Sequence, residues 1–189
     1  MYTETLFKFG EMKGLSQKQI TEHIKLYSGY VKNTNELQER ILRENSSLER
    51  DLYKVAELRR RLGFEYNGMV LHQNYFNSLG GDGSFVNGPL KDEIENSFAS
   101  MEKWTKEFKE IASTRGIGWV LLVKERLSDT LKNIWISDHE IGYLADTKLI
   151  LALDVWEHAY LLDYLPSERR NYVEAYFENL DWKRIETNL

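Results

Sequence analysis

The sequence predicts an α+β protein: an N-terminal helical hairpin, then a C-terminal α/β domain with a three-stranded antiparallel sheet. Three observations carry this. Residues 16–79 place apolar side chains at helical spacing, with one polar break near Asn45-Ser46-Ser47. Gly80-Gly81-Asp82-Gly83-Ser84 is the strongest linker signal in the chain. After Gly116-Ile117-Gly118-Trp119, short apolar runs rich in Val, Ile, Leu and Trp alternate with polar turns. The division expected is 1–83 for the hairpin and 84–189 for the α/β domain.

Ser16 is the expected N-cap of the first helix, and Ile20, His23, Tyr27, Tyr30, Val31, Leu37 and Ile41 follow near helical spacing. Asn45-Ser46-Ser47 turns the chain, with Ser47 expected to cap the second helix. Leu48, Leu52, Val55, Leu58 and Leu62 continue an apolar stripe, Gly63 or Gly68 marks a place for a kink, and His72, Tyr75, Phe76 and Leu79 share a later face. A hairpin of this length needs a partner for its apolar side. Pro89 stands where a first helical position belongs, and acidic residues follow it, so one helix is expected over 89–113. The strands expected are 119–124, 131–137 and 148–153, and Glu168 to Leu180 returns to helix.

Composition narrows the function. The chain has 189 residues, 42% hydrophobic and 13% aromatic, enough for a substantial core in one large domain or two small ones sharing a core. No cysteine is present, which removes disulfides, thiolate catalysis and iron–sulfur clusters. The net charge of −5, from 25 basic and 30 acidic residues, argues against nucleic acid as a partner, and Arg59-Arg60-Arg61 reads as a solvated helix face. No run of 18 apolar residues occurs, so no membrane helix is expected; the N-terminal residues lack a secretory pattern, and the expected location is cytoplasmic.

The chemistry lies in the histidines. There are four, His23, His72, His139 and His158, one in each main segment. Asp154 follows the third strand and His158 stands four residues on, beside Trp156 and Tyr160; His23 and His72 belong to the two hairpin helices. Three imidazoles and one carboxylate make a metal site with a position left open, suited to redox-active iron or manganese and set between the two domains, with the fourth histidine as a nearby donor. The plainer alternative is four unrelated core histidines.

The segment Asp154-Val155-Trp156-Glu157-His158-Ala159-Tyr160 resembles the signature of the iron/manganese superoxide dismutase family. Gly116-Ile117-Gly118-Trp119 resembles that family's Gly-x-Gly-Trp segment, and Gly29-Tyr30-Val31 with Asn35 its first-helix motif. The resemblance covers nearly the whole chain. It implies one iron or manganese ion per subunit, iron slightly favoured, held by His23, His72, Asp154 and His158. It implies Tyr30 as the gateway tyrosine, Trp119 and Trp156 as pocket walls, and Arg169 as the arginine of the substrate funnel. It implies a homodimer in which Glu157 reaches the other subunit's His158.

The sequence departs from that pattern in three places. The first ligand and the tyrosine usually stand eight apart, whereas His23 and Tyr30 stand seven apart; eight would seat Glu22. His23 is preferred because seven residues are close to two helical turns and keep both side chains on one face. Leu26 and Leu161 stand where the family commonly carries a histidine and a tyrosine that bond across the dimer interface; both polar partners are replaced together, so neither is left unsatisfied. Gly68 stands where iron forms place a glutamine, and His139 where manganese forms place theirs, so His139 is expected to donate to solvent on the ion.

The function expected is superoxide dismutation, with Lys25 and Arg169 helping to steer a small anion toward a net-acidic protein. The other classes to separate from it are a non-catalytic structural or binding protein on the same fold and a different non-haem metalloenzyme.

Overall fold

Ser16 opens the first helix as expected: its hydroxyl accepts from Gln19 N at 3.0 Å. In the computed structural model, which describes residues 1–189, this helix, α1, spans Gln17–Asn45 and buries Ile20, His23, Tyr27, Val31, Leu37 and Ile41 along one stripe. The second helix, α2, spans Leu52–Asn77. Its cap is Asp51, not Ser47. Two free N–H groups of the first turn are met by one Asp51 oxygen, Oδ1, which accepts from Tyr53 N and Lys54 N, while Ser47 closes only a local turn by accepting from Glu49 N. Leu48 and Leu52 are therefore exposed, and the buried stripe of α2 starts at Val55 and gathers toward Met69, Leu71, His72, Tyr75 and Phe76. The helix runs on through Gly63 and Gly68 without a break.

The helix expected over 89–113 is two. Pro89 opens α3, Pro89–Phe98, and α4 spans Met101–Ala112. Between them Ala99 adopts φ 70°, a left-handed conformation costing an L residue about 1–2 kcal/mol. Ser100 then caps α4 by accepting from Lys103 N at 3.1 Å. An alanine gives no warning of such a break.

The sheet agrees with expectation: β1 is Trp119–Glu125, β2 is Thr130–Ile136 and β3 is Thr147–Asp154, antiparallel, in the order β2-β1-β3. Trp119 pairs with Ile136 on one side and Asp154 on the other. One end of the sheet thus collects Trp119, Asp154 and the loop that carries His139. The last helices are α5, Arg169–Glu178, and a short α6, Trp182–Glu186, capped by Asp181 and not among the expected elements. A single apolar core runs from Tyr27, Tyr75 and Phe76 of the hairpin through Trp119–Val123 and Leu151–Leu153 to Trp104, Phe108, Tyr172 and Tyr176. The hairpin meets the sheet where α2 packs on β3, and the histidines lie at that seam. No helix is long and apolar enough to cross a membrane.

Candidate metal centre

Each member of the cluster comes from a rigid element. His23 sits in the middle of α1, His72 near the end of α2, Asp154 closes β3, and His158 lies in a 3-10 turn, Glu157–Ala159. Their donor atoms all fall within 4.8 Å of one another. The three Nε2 atoms face a single oxygen, Asp154 Oδ2, at 2.9 Å from His23, 3.0 Å from His158 and 3.5 Å from His72. The other oxygen, Oδ1, accepts from Trp156 N at 2.8 Å, which fixes the carboxylate at the strand end. Glu22, the alternative to His23, is exposed and pairs with Lys25 at 2.7 Å, so the seven-residue spacing is the one that points inward.

His72 shows what the cluster is suited to hold. Its Nδ1 lies 2.6 Å from the Gly68 carbonyl, which can only accept, so the ring hydrogen is on Nδ1. Its Nε2 is then a lone pair, buried without a hydrogen-bond partner, facing a carboxylate oxygen. Burial, with the neighbouring His23 adding to it, holds the His72 pKa well below 6.5, so a proton does not resolve the contact. A cation between the two does. Burial also lowers the pKa of His23, partly offset by its hydrogen bond to Asp154. Burial alone would raise the Asp154 pKa, but His158 and His23 hold it well below the usual carboxylate range. Three imidazole nitrogens and one carboxylate oxygen, with no thiolate, suit iron or manganese.

Around the cluster the predicted residues take distinct places. Tyr30 stacks on His72 with ring centres 4.9 Å apart. Trp119 meets His72 edge-on at 4.9 Å, and Trp156 stacks on His158 at 5.8 Å and lies 5.5 Å from His139. His139 stands outside the cluster. Its Nδ1 accepts from the Trp119 indole N–H at 2.9 Å, so its one N–H is on Nε2, which donates to Tyr30 Oη at 2.8 Å. This differs from the expected direct donation to solvent at the ion: a neutral imidazole has one N–H, and Tyr30 takes it. Burial lowers the His139 pKa to about 4, so the ring stays neutral. Burial and the Asp154 charge raise the Tyr30 pKa above its usual range, so the phenol keeps its proton.

Two expected members lie apart. Arg169 donates from Nη1 to the Gly116 carbonyl at 2.7 Å and sits over Trp135, touching none of the four donors. Glu157 is exposed. Four residues went unforeseen. Gln19 donates to the His158 carbonyl at 2.7 Å and accepts from Leu162 N at 3.0 Å, tying the 3-10 turn to α1. Asn67 donates to the His139 carbonyl at 2.8 Å. Phe64 packs on His139 with ring centres 4.6 Å apart. Tyr172 donates to the Asp154 carbonyl at 2.8 Å. Gln19 alone left a signal, a polar side chain one turn before His23 on an apolar face.

Comparison with known proteins agrees with this geometry. Residues 86–188 match the family described as iron/manganese superoxide dismutases, C-terminal domain. The chain is 37% identical to a superoxide dismutase [Fe] of Cupriavidus metallidurans, over 94% of this chain and 89% of that protein. It is 34% identical to a superoxide dismutase [Fe] of Pyrobaculum aerophilum, over 88% and 80%. It is 37% identical to superoxide dismutase [Mn] 1 of Halobacterium salinarum, over 89% and 83%.

Proposed function

The chain belongs to the iron/manganese superoxide dismutase family, and on that premise we propose that it converts two superoxide anions and two protons into O2 and hydrogen peroxide at an ion held by His23, His72, Asp154 and His158. The observation that carries the assignment is the His72 lone pair turned toward the Asp154 carboxylate inside a ring of three Nε2 atoms. Bound there, iron or manganese would supply the one-electron cycle.

The protein supplies position and protons. Trp119 sets the His139 tautomer, His139 orients Tyr30 Oη by donating to it, and the phenolic hydrogen is left for the pocket. Tyr30 thus holds a proton where an anion leaving as peroxide needs one, and Trp119 and Trp156 wall off the surrounding water.

The finer parts of the proposal have their own support. Iron is slightly favoured over manganese, while the relatives carry both metals in their names. A homodimer, with Glu157 accepting from the partner's His158, fits the exposed carboxylate, the part-exposed His158 ring and the exposed Leu161, Leu162 and Leu165 that follow. Division into 1–83 and 84–189 fits the family match beginning at residue 86. A cytoplasmic location is part of the same proposal. The test is elemental analysis of protein produced with iron or with manganese, each form then assayed against superoxide. One ion per chain with activity in at least one form supports the proposal; a fully loaded protein inert in both forms overturns it.

A further inference from the structure

Of the cations expected to guide an anion, Lys25 pairs with the neighbouring exposed Glu22, and the Arg169 guanidinium is held by the Gly116 carbonyl over Trp135, a ring outside the site. Another cation stands closer to the pocket wall. Arg61, on the exposed side of α2, holds its guanidinium 4.3 Å above the Phe64 ring. The same Phe64 ring packs against His139, at 4.6 Å, and Tyr30, at 6.2 Å. Arg61 therefore touches the ring that touches both His139 and Tyr30. The part-exposed residues at the site, Tyr30, Phe64, Trp156 and His158, mark the side from which a small molecule enters.

The arginine is also aimed. Glu65, buried in spite of its charge, accepts from Arg61 Nε at 2.9 Å and Nη2 at 2.5 Å through Oε1. Its Oε2 accepts from Asn33 Nδ2 of α1 at 3.2 Å, three residues beyond Tyr30. A buried carboxylate tied to both helices is a costly way to hold a surface arginine. The charges of Arg61 and Glu65 both act on Tyr30, and that of Arg61 reaches His139.

We propose that Arg61, oriented by Glu65 and Asn33, is the residue that draws the substrate anion to the mouth beside Phe64. This rests on the dismutase reading. Removing a unit charge at such a place leaves Glu65 unopposed and should slow anion entry about two- to threefold at low ionic strength.

The experiment uses iron-loaded full-length protein and azide as a small anionic probe, titrated by the change in the visible spectrum. Wild type, Arg61→Gln and Arg61→Lys are compared at low and high salt, with superoxide kcat/KM measured alongside. Arg61→Gln should bind azide about two- to threefold more weakly at low salt, and the gap should close as salt screens the site. Arg61→Lys should stay near wild type, Arg61→Gln should melt lower because it leaves the buried Glu65 carboxylate unpaired, and metal content should hold in both. Equal azide affinity and equal salt dependence in wild type and Arg61→Gln overturn the proposal, as does a loss in Arg61→Lys as large as in Arg61→Gln. Wild type that binds azide but ignores superoxide would instead sink the dismutase reading, a different outcome.

Discussion

The ring of Tyr30 occupies the space that a side chain on Gly68 would need: a Cβ built there meets Cδ1 at 2.6 Å and Cε1 at 2.7 Å. Tyr30 therefore lies directly on the backbone of α2 while it stacks on His72. The glycine is a condition for the tyrosine's place in the site.

Gly68→Ala should consequently destabilise the protein by about 1–3 kcal/mol, the usual cost of overpacking a filled site. The sign is informative, because glycine to alanine within a helix ordinarily stabilises by about 0.5–1 kcal/mol. Chemical denaturation of both proteins checks it. A more stable variant would show that Tyr30 yields easily.

His139→Ala should keep the metal and lower the dismutation rate by about 100-fold, the low end of what positioned proton-transfer groups contribute. The loss follows from freeing Tyr30 Oη and orphaning the Trp119 N–H. His139→Gln should recover much of the rate, since an amide can accept from Trp119 and donate to Tyr30. Metal content, redox potential and rate are the readouts. If His139→Ala matches wild type in all three, His139 is a bystander.

Acid should destabilise the metal-free protein from about pH 6.5 downward. Burial lowers the folded pKa of His23 and His72, and that of His139 to about 4. Between each folded value and 6.5 the unfolded chain binds more protons, so stability is present above 6.5 and lost as pH falls. Each fully buried histidine contributes a slope of about 1.4 kcal/mol per pH unit. Urea unfolding at stepped pH measures it, and a flat profile between pH 7 and 5 would refute the neutral-histidine account. Loaded protein should be more stable than metal-free protein at pH 7, and should converge on it as protons displace the ion.

Glu157→Ala should weaken self-association and metal retention together, if the carboxylate serves the partner's ligand histidine. Sedimentation and metal analysis on the same samples decide it. Unchanged values in both would leave Glu157 a surface residue.

Much of this was legible in the residues because periodicity and chemistry agreed. Ser16, the stripe Ile20 to Ile41 and the three apolar runs each read the same way at every level, and the structure has them there. His23, His72, Asp154 and His158 were legible as a set because few other residues can do their work. The misses share a cause, which is that tertiary contacts chose among local options of similar energy. Asp51 took the cap from Ser47 by bonding two N–H groups, and Ala99 breaks a helix that its sequence would continue. Asn67 and Tyr172 act on backbone carbonyls far along the chain, a partnership no local spacing encodes.

The pairing of Trp119 with both Ile136 and Asp154 makes the sheet a gauge for its own assembly. Side chains alternate across a strand, so a slip of one residue in β3 would turn Asp154 to the opposite face and bring Leu153 toward the histidines. The slipped chain could bury nearly as much apolar surface, since Leu151, Ala152 and Leu153 are all core residues. It could not hold an ion. Loading thus reads out whether three strands have met in the right alignment, and a stable bound ion would reward only the correctly assembled molecule.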